Sequence, residues 1–165
     1  MANDVEARLR RVEDQLAIYQ LIAAHPCAVD GGNSAVLGDL YAEDGVYAIG
    51  EAGDAGRFAG RTAVQAVVSS PMIAEMIAAG MGHIGTLPYV VIEGDRAVAT
   101  GHAMVVLRDG DGFRISRLSA ARYEFARSAD GDWQITQRRL HLLDGNSVAP
   151  ALLGRLTEAP AMADA

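Results

Sequence analysis

The chain has 165 residues, half of them hydrophobic, with a formal net charge of −7 and a single cysteine. This is the length of one ordinary domain with apolar material for a sizeable core, which argues against two domains. An acidic surface with no run of Lys or Arg argues against nucleic acid as a partner, and the lone Cys27 excludes an intrachain disulfide and a cysteine metal cluster.

The opening residues MANDVEARLRRVEDQ are charged at helical spacing and lack the apolar stretch of a signal peptide. No run of about 18 apolar residues occurs anywhere, so a soluble, cytoplasmic protein with no membrane partner is expected. From Asp4 to about Ala24, the residues Val5, Leu9, Val12, Leu16, Tyr19, Leu21 and Ile22 recur mostly at steps of three and four, predicting a long amphipathic helix. Pro26 has no N–H and collides with the carbonyl one turn earlier, so it is expected to kink or end that helix just before Asp30. Asp30-Gly31-Gly32-Asn33 reads as a turn, with Asn33 or Ser34 capping a short helix through Leu37, Leu40 and Tyr41.

Val46 to Ile49 is a short strand candidate, joined by a glycine-rich connection to Arg57-Phe58-Ala59-Gly60 as a hairpin. Arg61 to Ala79 is helical in pattern, with a break at Ser70-Pro71 because the residue before proline avoids the helical region. Met81 to Glu93, Arg96 to Arg108, Phe113 to Arg127 and Trp133 to about Asp144 are strand-like, separated by turn sequences rich in Gly and Asp. Helices followed by an antiparallel meander give an α+β fold in which the helices cover one face of a curved sheet. Residues 1–148 form the expected single domain. Residues 149–165 form a small, apolar tail, partly flexible or packing on a neighbouring subunit.

Several strings resemble the SnoaL-like proteins of the nuclear transport factor 2-like superfamily. They are Ile18 to Asp30 leading into Gly-Gly-Asn, Leu40 to Tyr47, Phe58 to Arg61, His83-Ile84-Gly85-Thr86, Glu93 to Ala97, and Asp130 to Ile135 followed by Arg138-Arg139. Together they cover roughly residues 10 to 145, and the order is most similar to the scytalone dehydratase and hexachlorocyclohexane dehydrochlorinase group. The resemblance implies a cone-shaped sheet and an Asp-His pair, here Asp30 and His83, with Arg138 resembling an arginine of the dehydrochlorinase site. His25 stands where the dehydrochlorinase pattern has lysine, and Leu87 where an asparagine often follows the histidine.

An imidazole with a pKa near 6.5 is well suited to take a proton at neutral pH, and a carboxylate on its other nitrogen fixes the tautomer. His83 as base and Asp30 as its orienter point to proton abstraction from carbon. The expected activity is a cofactor-independent lyase, a dehydratase or dehydrohalogenase, acting on a small apolar or aromatic substrate; the alternatives are an isomerase of the ketosteroid kind and a non-catalytic binding module. If Glu93 pairs with Arg96, His83 falls opposite Val106 and His102 opposite Leu87, so that His83, Thr100, His102, Met104 and Val106 share one face unless a bulge changes the parity. His102 and His25 are then candidate pocket groups. Tyr47 is either pocket lining or core. Arg138 can balance Asp30 or bind an anionic leaving group, with Arg139 on the opposite face. Tyr19, Met72, Met76, Met81 and Met104 are expected in the pocket wall or core. The histidines lack metal-ligand spacing and no phosphate loop is present, so no cofactor or metal is expected. A sheet with one covered face predicts a homodimer or homotrimer.

Overall fold

The computed structural model describes residues 2–50 and 56–160. The glycine-rich connection over 51–55 and the last residues of the tail, 161–165, lie outside the described residues. Helix α1 spans Ala2–Asp30, α2 Ser34–Asp39, α3 Arg61–Val68, α4 Pro71–Ala78 and α5 Val148–Gly154. The strands are β1 Tyr41–Ile49, β2 Arg57–Ala59, β3 Met81–Gly85, β4 Tyr89–Glu93, β5 Arg96–Asp109, β6 Gly112–Arg127 and β7 Trp133–Leu142. They form one curved seven-stranded sheet in the order β2-β1-β7-β6-β5-β3, with β4 also pairing with β5. All pairs are antiparallel except β1 with β7, so the meander is closed on one side by the strand that follows the first two helices.

Pro26 does not end α1. The helix runs through it to Asp30 and closes with two bonds, Gly32 N–H to the Val29 carbonyl (3.0 Å) and Asn33 N–H to the Ala28 carbonyl (2.8 Å). Gly32 at φ 65° supplies the left-handed turn that this closure needs. A proline inside a helix costs about 3 kcal/mol. Here His25, Ala28 and Val29 around it are buried, and burial at roughly 25 cal/mol per Å² of apolar surface offsets that loss. The Asn33 side chain caps α2 by accepting from Val36 N–H, but Tyr41 opens β1 instead of continuing that helix.

The core lies between the concave sheet face and helices α1 to α3. Ile18, Ile22 and Val29 of α1 meet Leu37, Val64 and Val68 of the other helices and Ala97, Ala99, Tyr123, Phe125 and Ile135 of the sheet. Only the second half of α1 takes part. Val5, Leu9, Val12 and Leu16, the apolar stripe of its first half, are exposed, and so is Met72 on α4, which therefore belongs to neither core nor pocket. The C-terminal segment is not simply a tail: α5 packs Ala149 and Leu152 on Ala120, on the convex face of its own sheet. Buried Arg122 ties it down there, donating to the Thr100 hydroxyl and to the Arg155 carbonyl.

The long strand expected over Met81 to Glu93 is broken. Partner numbers sum to 189 along β4 and β5, as the hairpin reading requires, but His83 pairs with Val105 and Gly85 with Ala103. Residues 86–88 absorb the one-residue slip. Thr86 anchors this crossing by its N–H to the His102 carbonyl and by accepting from His102 N–H at its hydroxyl, each at 3.0 Å. Gly101 lies beneath it, where a Cβ would stand 3.1 Å from Thr86 Oγ1 and 3.3 Å from Pro88 Cα. Since side-chain parity alternates along a strand, the slip moves every expected face by one position between β3 and β4.

Candidate active site

Edge position and helix end meet at Asp30. Strand β3 is the last in the sheet, so on its outer side it presents backbone N–H groups with no neighbouring strand among the described residues. His83 N–H is one of these, and Asp30 Oδ2 accepts from it at 2.7 Å. The other carboxylate oxygen lies 2.6 Å from His83 Nδ1. A carboxylate only accepts, so Nδ1 carries the proton, and Nε2 is left with its lone pair on a ring that lines a cavity. The pair is partly buried. Burial lowers the His83 pKa; the bond and charge of Asp30 raise it, Arg138 and Arg117 lower it again, and the balance falls below the ordinary value. The ring is therefore neutral at pH 7.

Arg138 stands at the back of the same cavity and is almost fully buried. Its partners across the sheet are Tyr123 on β6 and Tyr47 on β1, so the three side chains share a face. The guanidinium lies 4.8 Å from the Tyr47 ring centre and 5.2 Å from that of Tyr123, and Nε donates to the Tyr123 hydroxyl at 2.9 Å. Nη1 is buried and finds no hydrogen-bond partner among the described residues. Burial lowers the Arg138 pKa, but the surrounding phenols outweigh it and the group stays charged. Arg139 is exposed.

His25, one turn before Val29, is buried with its Nε2 3.1 Å from the Tyr41 hydroxyl and its ring edge-on to those of Tyr47 and Tyr123. Burial, then Arg138 and His83, hold its pKa well below the usual value, while burial raises that of Tyr41. Both are neutral at pH 7. The cavity of about 30 Å³ is lined by Ile22, His25, Pro26, His83, Ile84, Gly85, Ala103, Met104, Arg117, Tyr123 and Arg138. Tyr47 lies behind Arg138 in the core, and Tyr19 lines an adjoining groove. His102 does not join the site. The slip at 86–88 turns it, with its partner Ala120, toward the α5 side of the sheet, and its side chain is exposed.

The SnoaL-like domain profile matches residues 10–139. The chain belongs to the SnoaL-like domain family. Among solved structures, an NTF2-like protein with a cystatin-like fold from Novosphingobium aromaticivorans is 35% identical to this SnoaL-like chain, with a TM-score of 0.87 over 93% of this chain and 97% of that one. Two more distant structures share the fold. A protein of unknown function from Mycobacterium tuberculosis is 20% identical, with a TM-score of 0.68 and 97% of each chain covered. A hexachlorocyclohexane dehydrochlorinase from Novosphingobium barchaimii is 17% identical, with a TM-score of 0.68 over 82% of this chain and 90% of that one. No curated protein matches the chain.

Sequence reasoning missed Tyr41, Tyr123 and Arg117 of this SnoaL-like site. Tyr123 could have been found from the β6–β7 hairpin, where it pairs with Arg138. Tyr41 was hidden because its neighbours read as helix. Among the described residues no helix is long and apolar enough to cross a membrane, and no group of three or more His, Cys, Asp or Glu side chains is arranged to hold a metal ion.

The two depressed histidines give the SnoaL-like domain an acid sensitivity. In the unfolded chain both titrate near 6.5. Between that value and their lower folded values, the unfolded state binds protons that the native state does not, so stability falls as pH drops below about 6.5. The melting temperature is expected to decline between about pH 7 and pH 5, and a flat profile over that range would contradict the neutral, buried state of His25.

Proposed function

We propose that this protein is a cofactor-independent lyase in which His83 removes a proton from a substrate carbon. The observation that carries the reading is the double hold of Asp30 on His83, at backbone and ring, in a cavity that the buried Arg138 also lines. Nε2 of His83 takes the proton; the electron pair of the C–H bond becomes the new C=C bond, and the leaving group departs with the electrons of its own bond, a halide as the anion and a hydroxyl as water by taking the proton back from Nε2. Asp30 stabilises the imidazolium that forms. Arg138 faces the negative charge that develops on the leaving group or on an adjacent carbonyl, in a site largely closed to water. Loss of water or halide fits this arrangement, and the dehydrochlorinase among the structures that share the fold is compatible with it.

The test is a panel of small β-hydroxy and β-halo carbonyl compounds in heavy water, followed by NMR. Elimination, or deuterium entering the α carbon, supports proton abstraction by His83 if it disappears in His83→Ala. Deuterium exchange without elimination would favour an isomerase. Neither event with any compound, together with saturable binding, would favour a binding module. Self-association into a dimer or trimer belongs to the same reading, supported by exposed Ile115, Leu118 and Leu142 on the sheet; gel filtration at the mass of one chain counts against it.

A further inference from the structure

The cavity at His83 is too small for an organic substrate. Its volume of about 30 Å³ holds about two waters. Small-molecule sites commonly enclose roughly 300–1,000 Å³. Whatever reacts at Nε2 must therefore extend out of the cavity, and one mouth is already built. A groove of about 330 Å³ shares Ile22, Pro26 and Gly85 with the cavity and continues outward between α1 and the crossing at residues 86–88.

Its walls have a definite chemistry. Tyr19, Ile22, Ala23 and Pro26 lie at helical spacing along one side of α1, and Gly85 to Pro88 form the opposite wall. None of the lining residues carries a charge; the inner cavity, by contrast, holds Arg117 and Arg138. Leu87, large and 79% exposed, stands at the groove with no core to pack against. The wall that carries it is held in place by both backbone groups of His102, by the ring of Pro88 and by the close approach allowed at Gly101. A preformed wall spares a ligand the ordering of a loop.

We propose that this groove seats the body of the substrate, so that the substrate is an elongated amphipathic molecule: an electron-rich head, carbonyl or leaving group, at Arg138 and His83, and an uncharged, ring-sized apolar body against Tyr19, Ala23 and Leu87. The proposal rests on the elimination reading for the position of the head, while the groove's binding is separable from the chemistry.

Two probes test it by calorimetry: benzoate, which has a head and one ring, and biphenylcarboxylate, which adds a second ring in line. The wild-type protein is expected to bind biphenylcarboxylate at least about tenfold more tightly than benzoate, since the second ring is taken out of water. Ala23 is exposed, so Ala23→Phe fills the groove without disturbing the core and is expected to bring the two affinities within about twofold. Leu87→Gln removes the apolar rim and reduces the difference in the same direction. His83→Ala keeps it. Equal affinities in the wild type, binding of neither probe, or a difference that survives both groove variants would overturn the proposal. Failure of the base assignment shows elsewhere, as elimination activity that persists in His83→Ala.

Discussion

His83→Ala is expected to lower turnover by about 10²–10⁴-fold, the range a positioned general base contributes, with little change in stability. The ring is only partly buried and its loss removes one contact to Asp30, whose carboxylate keeps its bond to the residue 83 N–H. Asp30→Asn should cost activity by a different route. The amide can still accept from that backbone N–H, so the fold is retained, but it can also donate to Nδ1, which moves the ring proton to Nε2 and removes the base. Steady-state kinetics on any substrate found by the NMR panel, with circular dichroism to check folding, decides the matter. Unchanged turnover in either variant would end the dyad assignment.

The largest effect on stability is expected at Trp133, far from the chemistry. Its indole is buried, donates to Asp14 on α1 at 3.0 Å, and lies under the Arg127 guanidinium at 4.4 Å. Arg127 also donates to Asp14 (2.7 Å) and to Asp95 (3.0 Å), so one cluster fastens the middle of α1 to two hairpin ends. Burial raises the Asp14 pKa, but the bonds from Arg127 and Trp133 outweigh it and the carboxyl is held below its ordinary value. Trp133→Ala removes the ring and leaves a cavity, at a cost of about 3–5 kcal/mol, against total stabilities of about 5–15 kcal/mol for small domains. Trp133→Phe keeps most of the packing and loses one charge-assisted bond, about 1.5–3 kcal/mol. Urea unfolding at pH 7 measures both. A change below about 1 kcal/mol for Trp133→Ala would show that the cluster does not anchor α1.

The elements were legible where local chemistry decides them. Ser70-Pro71 breaks the third helical stretch, and Asn33 caps the short second helix, as their side chains dictate. Asp30 and His83 came from resemblance and lie within hydrogen-bond reach. What escaped the sequence was set by tertiary context. Pro26 reads as a stop signal, yet the packing of Ala28 and Val29 carries the helix past it to Asp30. Counting along a hairpin places His102 on the pocket face, and a one-residue slip, held by Thr86 and Gly101, turns it away. Arg138 and Arg139 are distinguishable by strand parity, and Tyr123 follows from the β6–β7 hairpin, but Tyr47, the other tyrosine that flanks Arg138, comes from a strand distant in sequence.

The hold of Asp30 on His83 N–H reaches beyond orientation of a ring. An unpaired edge strand is a template on which another chain can add a strand and begin an aggregate. At β3 that template is interrupted in its middle, because the amide an incoming strand would need is already bonded to a side chain from α1. The residue proposed to tune the base thus also occupies the backbone donor that cross-chain β-pairing would use in the middle of β3.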